Sequence, residues 1–167
     1  MFKENDLVIY GATGVCRVSA IGRPDFVQTS EETLYYYLEP VYQSGIIYAP
    51  VENGKVVMRP IISAEEAREM LDGIDKVEGA PICSGSMQQL SQQYQSCIES
   101  YSSADLLSLA KAIYLKKLNT EKNRKKLGQI DKRYLKRTED LIFGEFAAAL
   151  GTEREEIADY VHEHFAK

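Results

Sequence analysis

The stretch Ile46-Ile-Tyr-Ala-Pro-Val-Glu-Asn-Gly-Lys-Val-Val-Met-Arg-Pro-Ile-Ile-Ser-Ala-Glu-Glu66 contains the change of character that decides the fold. Its first half is β. Ile46 to Val51 is a short β-prone run, Asn53-Gly54 is a two-residue hairpin signal, and Val56 to Met58 follows it. Its end is helical. Ser63 with Glu66 three residues later is a capping box, in which a hydroxyl and a carboxylate satisfy the free N–H groups of a helix start. Upstream, Asp6 to Tyr10 reads as a strand, Gly11 to Gly14 as a turn, and Val15 to Val18 and Leu34 to Leu38 as further strands. Short strands at this spacing predict a small closed or half-closed β-barrel.

Downstream of Ser63 the apolar period becomes helical. One helix is expected to about Gly73, a second from Met87 to about Tyr101, and a third from Ser103. A fourth spans about 129 to 150, and a last one, opened by a capping-box spacing at Thr152 to Glu155, runs to Phe165. On the third helix Leu106, Ala110, Ile113 and Tyr114 share a face. On the fourth Ile130, Tyr134, Leu141 and Glu145 form a stripe, with Leu135, Ile142 and Ala149 beside it. Gly79, Pro81 and Ser84 to Ser86 mark a loop. The expected class is α+β, with a β module over 1–60 and an all-α helical bundle over 61–167.

At 167 residues, 44% of them hydrophobic, the chain can bury a core without disulfides or metal. Its cysteines, Cys16, Cys83 and Cys97, are sparse and odd in number, which fits a reducing cytoplasm. Met1 to Tyr10 carries charges and no long apolar run, so no signal peptide is expected. No apolar stretch approaches the ~20 residues of a membrane span. A cytoplasmic protein without a membrane partner is the expectation.

The net charge of -5 conceals a strong segregation. Residues 111–137 hold eleven bases against Glu121 and Asp131, a local +9, while 1–85 and 138–167 each carry -6. Lys132 and Lys136, and Arg133 and Arg137, repeat at i, i+4 on a helix, where like charges repel. A phosphate backbone would turn that cost into a gain through counterion release. The alternative is a solvated face neutralised by Glu139, Asp140, Glu153, Glu155 and Glu156.

Catalytic chemistry leaves no trace. Gly11 to Gly14 lacks the Lys-Ser/Thr of a phosphate loop and precedes a strand. His162 and His164 are two apart on a helix, so they diverge rather than share a metal, and read as exposed polar residues. The cysteine spacings are unlike a zinc site. Tyr35-Tyr36-Tyr37 reads as an ordinary strand with rings on both faces, or as a base-stacking run. No metal, cofactor or catalytic residue is assigned, and the chain is read as no enzyme. A nucleophilic Cys83 in the Gly/Pro loop is the weakest of the readings.

The arrangement resembles the CarD family of bacterial RNA polymerase-binding transcription regulators. The resemblance is carried by Phe2-Lys3 through Asp6 to Tyr10, the turn ending at Gly14, Val18 to Ile21, and Tyr37-Leu38 through Ile46 to Pro50. It continues in Ser103 to Asp105, Lys125 to Leu127, Asp131 to Arg133, Glu139 to Ile142 and Gly144 to Ala147. It implies an SH3/Tudor-like β-barrel that pairs an exposed strand with the polymerase β subunit by β-augmentation. It further implies a helical domain that contacts promoter DNA and tunes the life of the open complex. Carried onto this chain, the polymerase-facing residues are Arg23, Ile46, Ile47 and Tyr48. The DNA-facing set is Leu90, Lys122, Arg124, Lys125, Lys132, Arg133 and Lys136.

Two departures stand out. The first turn reads Tyr10-Gly11-Ala12-Thr13 where members often carry Tyr-Pro and a His. The family's DNA-wedging Trp is replaced by Leu90, an apolar side chain that can still act as a wedge, with Gln92, Gln93 and Gln95 in place of its basic neighbours. A monomer is expected, with self-pairing through the barrel edge as an alternative. The rival function is a protein-interaction adaptor with a β-barrel partner site and no DNA role, its basic helix packed on its own acidic C-terminal helix.

Overall fold

A computed structural model of the chain describes residues 1–25, 33–52, 54–79 and 85–165. The chain divides into two compact units, Met1–Ile61 and Ile62–Lys167.

The first unit is a five-stranded antiparallel sheet. Strands β1 (Leu7–Tyr10), β2 (Gly14–Gly22), β3 (Tyr35–Pro40), β4 (Ile47–Pro50) and β5 (Met58–Pro60) lie in the order β4-β3-β2-β1-β5. A 3-10 turn over Gly11–Thr13 joins β1 to β2. Gly11 and Gly14 both take positive φ, 47° and 87°, which is why the turn uses glycine at each end. Val8 pairs with Cys16, Leu38 with Val18, and Tyr36 with Ala49. These six side chains form the buried core of the sheet, with Phe2, Ile47 and Met58 packed against it. Tyr36 also accepts a hydrogen bond from the Phe2 N–H at 3.1 Å and meets its ring edge-on.

Of the closed or half-closed barrel expected, the closed form is corrected: among the described residues β4 and β5 each pair on one side only, so the sheet is open. Both are short and both end on a proline, Pro50 and Pro60, which has no N–H to extend a ladder. The strand expected at Val56 to Met58 lies instead at Met58–Pro60, set by the pairing of Val8 with Pro60 and Tyr10 with Met58. Val56 and Val57 are exposed. Asn53 of the hairpin signal lies outside the described residues, as do Pro81, Ser84 and Cys83.

The second unit is helical: α1 (Ala64–Asp72), α2 (Met87–Ile98), α3 (Ser103–Lys122), α4 (Gln129–Leu150) and α5 (Arg154–Phe165). The capping box at Ser63 is formed, with the Glu66 N–H donating to Ser63 Oγ at 3.0 Å and the Ser63 N–H to the Glu66 carboxylate at 3.3 Å. Ser86 and Gln89 make the same arrangement at the start of α2. Helix α5 begins at Arg154, and its first turn closes on the Glu153 carbonyl, so Glu153 takes the cap position expected for Thr152. Helix α4 ends at Gly151, whose φ of 68° lets its N–H return to the Ala147 carbonyl.

The bundle core is built from Tyr94 and Ile98 of α2, Leu106, Ala110 and Ile113 of α3, Ile142 and Phe146 of α4, and Val161 and Phe165 of α5. Glu145 sits on the core stripe as expected and is 2% exposed. Its carboxylate accepts from the Ser103 hydroxyl at 2.9 Å and the Ile62 N–H at 3.0 Å, which satisfies a charge that would otherwise be costly to bury. No described helix is long and apolar enough to cross a membrane.

Candidate partner edge and basic helical face

In the sheet, pleating sends Ala49 into the core and Tyr48 to the opposite face, where its ring meets Tyr37 edge-on at 5.0 Å. The triple tyrosine thus splits by face: Tyr36 is buried, while Tyr35 and Tyr37 are half-buried on the other side. Among the described residues the outer side of β4 carries no ladder, so its backbone can accept a further strand. Ile46, just before β4, is half exposed, whereas Ile47 turns toward the core and packs on it.

Arg23 does not join this group. It follows Gly22, which lies in register with Tyr35 and through it with Pro50, at the opposite end of β4 from Ile46. At about 3.3 Å per residue, Ile46 and that end of the strand are separated by roughly 13 Å. Tyr48 and Ile46 are therefore the two side chains that mark the edge.

In the helical unit the basic residues gather at the α3–α4 junction. Lys122 closes α3, and Arg124 follows it with φ of 58°, a left-handed conformation unusual for a side-chain-bearing residue. The Lys125 N–H donates back to the Thr120 carbonyl at 2.8 Å and the Arg124 N–H to the Glu121 carbonyl at 3.0 Å. This is a Schellman-type helix end with Arg124 where glycine is usual. Lys122, Arg124, Lys125, Lys132, Arg133 and Lys136 are all exposed.

Helix α4 divides its bases between two flanks. Arg133 lies over the Tyr134 ring at 5.2 Å, and Arg137 donates to the Gln95 side-chain oxygen of α2 at 3.1 Å. Lys132 and Lys136 instead line a groove of about 550 Å³ with Lys117 and Glu121 of α3, Lys125 and Lys126 of the junction, and Glu139 and Asp140 further along α4. Its floor is apolar, made of Leu127, Leu135 and Phe143.

The acids neutralise this face only in part. Lys136 pairs with Asp140 at 3.3 Å and Lys116 with Asp131 at 3.0 Å, but Lys122, Lys125, Lys126 and Lys132 have no ion pair among the described residues. Glu139 is engaged by His162 of α5. The histidines, expected as exposed, are half-buried and partnered: His162 stacks on Tyr114 at 4.9 Å and His164 on Tyr160 at 4.0 Å. The two rings meet different partners, and no metal-binding cluster occurs among the described residues. Burial, followed by the charges of Glu139 and Glu121, pushes the Tyr114 phenol up.

Leu90 is half-buried against the bundle core. The apolar side chain that stands out from α2 is Met87 in its first turn, 74% exposed. Its position directly after the Ser86 cap was the available signal for it. Lys117 and the groove arise from the packing of α3 on α4, which no local motif announces.

The sheet thus carries an open edge strand, and the helical unit a basic junction at which Lys122, Lys125, Lys126 and Lys132 form no ion pair among the described residues. Residues 2–62 match the family model of the CarD-like/TRCF RID domain. The family is one of RNA polymerase-interacting, transcription-related domains. Residues from Ser63 onward lie beyond the match. Among curated proteins no relative matches the chain.

Proposed function

We propose that the chain is a non-enzymatic transcription regulator that docks on the RNA polymerase β subunit through strand β4 and sets the basic junction of its helical unit on promoter DNA, altering open-complex stability. The sheet is read as SH3/Tudor-like and the location as the bacterial cytoplasm. The observation that carries the docking half is the open outer side of β4 in a domain of the RID family, with Tyr48 directed away from the core. The DNA half is supported by lysines without acidic partners at the α3–α4 junction. Nothing in α4 resembles a helix-turn-helix reader, so the contacts are to phosphates and largely independent of sequence. Affinity for free DNA is weak and salt-sensitive, and tethering to the polymerase supplies the effective concentration.

The test is a pull-down of the full chain against the polymerase β subunit, with and without Tyr48→Glu. Binding abolished by the substitution supports the docking strand; no binding by the unmodified chain overturns the reading. A second reading, an interaction adaptor with no DNA role, is favoured by the half-buried position of Leu90, which leaves the family's wedge without a protruding replacement there. Lys132→Glu with Lys136→Glu separates the two. The regulator loses its promoter effect with polymerase binding intact, and the adaptor keeps its transcriptional behaviour.

A further inference from the structure

The groove on α4 has more structure than phosphate-backbone contact requires. Backbone contact uses exposed cations on a surface, whereas here a buried apolar floor, Leu135 and Phe143 among it, lies beneath the lysines. Its volume of about 550 Å³ falls within the usual range for small-molecule sites.

The groove is cation-rich, with Lys117, Lys125, Lys126, Lys132 and Lys136 against Glu121, Glu139 and Asp140. Lys125 and Lys126 precede α4 and Lys132 lies in its first turn; the acids Glu139 and Asp140, which hold His162 and Lys136, come about two turns later, roughly 10 Å along the axis. Lys117, half-buried on α3, adds a cation with restricted access to water. An occupant therefore needs anionic groups for the lysines and a flat apolar body over the floor, and the carboxylates, already holding His162 and Lys136, have lone pairs left to accept a further donor.

We propose that this groove binds a nucleoside di- or triphosphate. The phosphates sit among Lys117, Lys125, Lys126 and Lys132, the base covers Leu135 and Phe143, and its amino group or the sugar hydroxyls donate to Glu139 or Asp140. The inference goes beyond the polymerase and promoter reading and stands without it.

The experiment is calorimetric titration of the full chain with ADP, with inorganic pyrophosphate and adenosine as comparison probes. ADP is expected to bind one per chain and more tightly than either fragment. Lys117→Gln is expected to weaken ADP by about tenfold, the worth of one charge-assisted contact, while Lys117→Arg retains binding. Thermal unfolding of each variant shows that the fold is kept. Absence of ADP binding overturns the proposal, as does pyrophosphate binding equal to ADP, which marks a diffuse anion surface. Duplex DNA titrated in parallel keeps the two ideas apart: ADP binding without DNA binding sustains this inference and removes only the promoter role.

Discussion

Tyr94 donates its hydroxyl hydrogen bond to Asp131 at 2.6 Å, and the same carboxylate holds the Lys116 ammonium at 3.0 Å. One side chain in the first turn of α4 thus ties α2 and α3 together at the root of the basic junction. Burial and the Asp131 hydrogen bond both push the Tyr94 phenol well above the ordinary tyrosine range. Tyr94→Phe removes the donor and leaves the carboxylate with Lys116. The expected loss is about 1.5–3 kcal/mol, the range for hydrogen bonds to charged groups, read by urea denaturation. A variant as stable as the wild type would show that the bond contributes nothing.

Arg124 occupies a left-handed position that glycine fills at lower cost. Arg124→Gly is expected to raise stability by about 1 kcal/mol, since the strain is relieved and the arginine side chain has no hydrogen bond or ion pair among the described residues to lose. Under the promoter reading the same change weakens DNA binding. Stability rising while affinity falls is the expected pair of results from thermal melts and a DNA titration; unchanged affinity removes Arg124 from the DNA-facing set.

Lys132 is exposed and pairs with no acid among the described residues. If it contacts a phosphate, Lys132→Gln lowers the slope of log affinity against log salt by about 1, equally on unrelated DNA sequences. A slope identical to wild type assigns Lys132 to the solvent.

Cys16 is fully buried between the strands, and burial pushes its thiol up to about 11. The unfolded thiol ionises first as pH rises, so its contribution to stability is complete below about pH 9 and is lost between about pH 9 and 11. Denaturation midpoints should fall across that window more steeply for the wild type than for Cys16→Ala. In the folded chain at pH 8, iodoacetamide should modify half-buried Cys97 before Cys16.

Gly151 ends α4 at φ of 68°, and a Cβ there would touch nothing within 4 Å. Gly151→Ala therefore tests backbone conformation alone, with an expected cost of about 1 kcal/mol by urea denaturation.

Local signals carried much of this architecture. Ser63 with Glu66 announces a helix start because the bonding partners lie three residues apart; Ser86 with Gln89 has the same spacing but is missed because Ser84 to Ser86 reads as a loop. Strand limits depend on distant partners: β5 sits at Met58–Pro60 because Val8 lies opposite Pro60, which periodicity within 56–60 cannot reveal. Glu145 was legible as a core position, but not why an acid stands there, since Ser103 and Ile62 are 42 and 83 residues away. His162 reads as exposed in sequence because its partners, Glu139 and Tyr114, arrive through helix packing. The basic junction was legible as a charge run; its division into an arginine flank and a lysine groove was not.

The strand order β4-β3-β2-β1-β5 puts the rim of β4 and the exit to the next unit on opposite margins of one sheet. Four strand spacings of about 4.8 Å separate them, some 19 Å measured across the ladder. Under the docking proposal, a guest strand laid along β4 would become a sixth member without displacing β5, through which the chain leaves. Anchor and outlet do not compete for backbone, so a mutation that ruins one can leave the other intact. That independence is what would allow polymerase docking and the helical unit's activity to be lost separately.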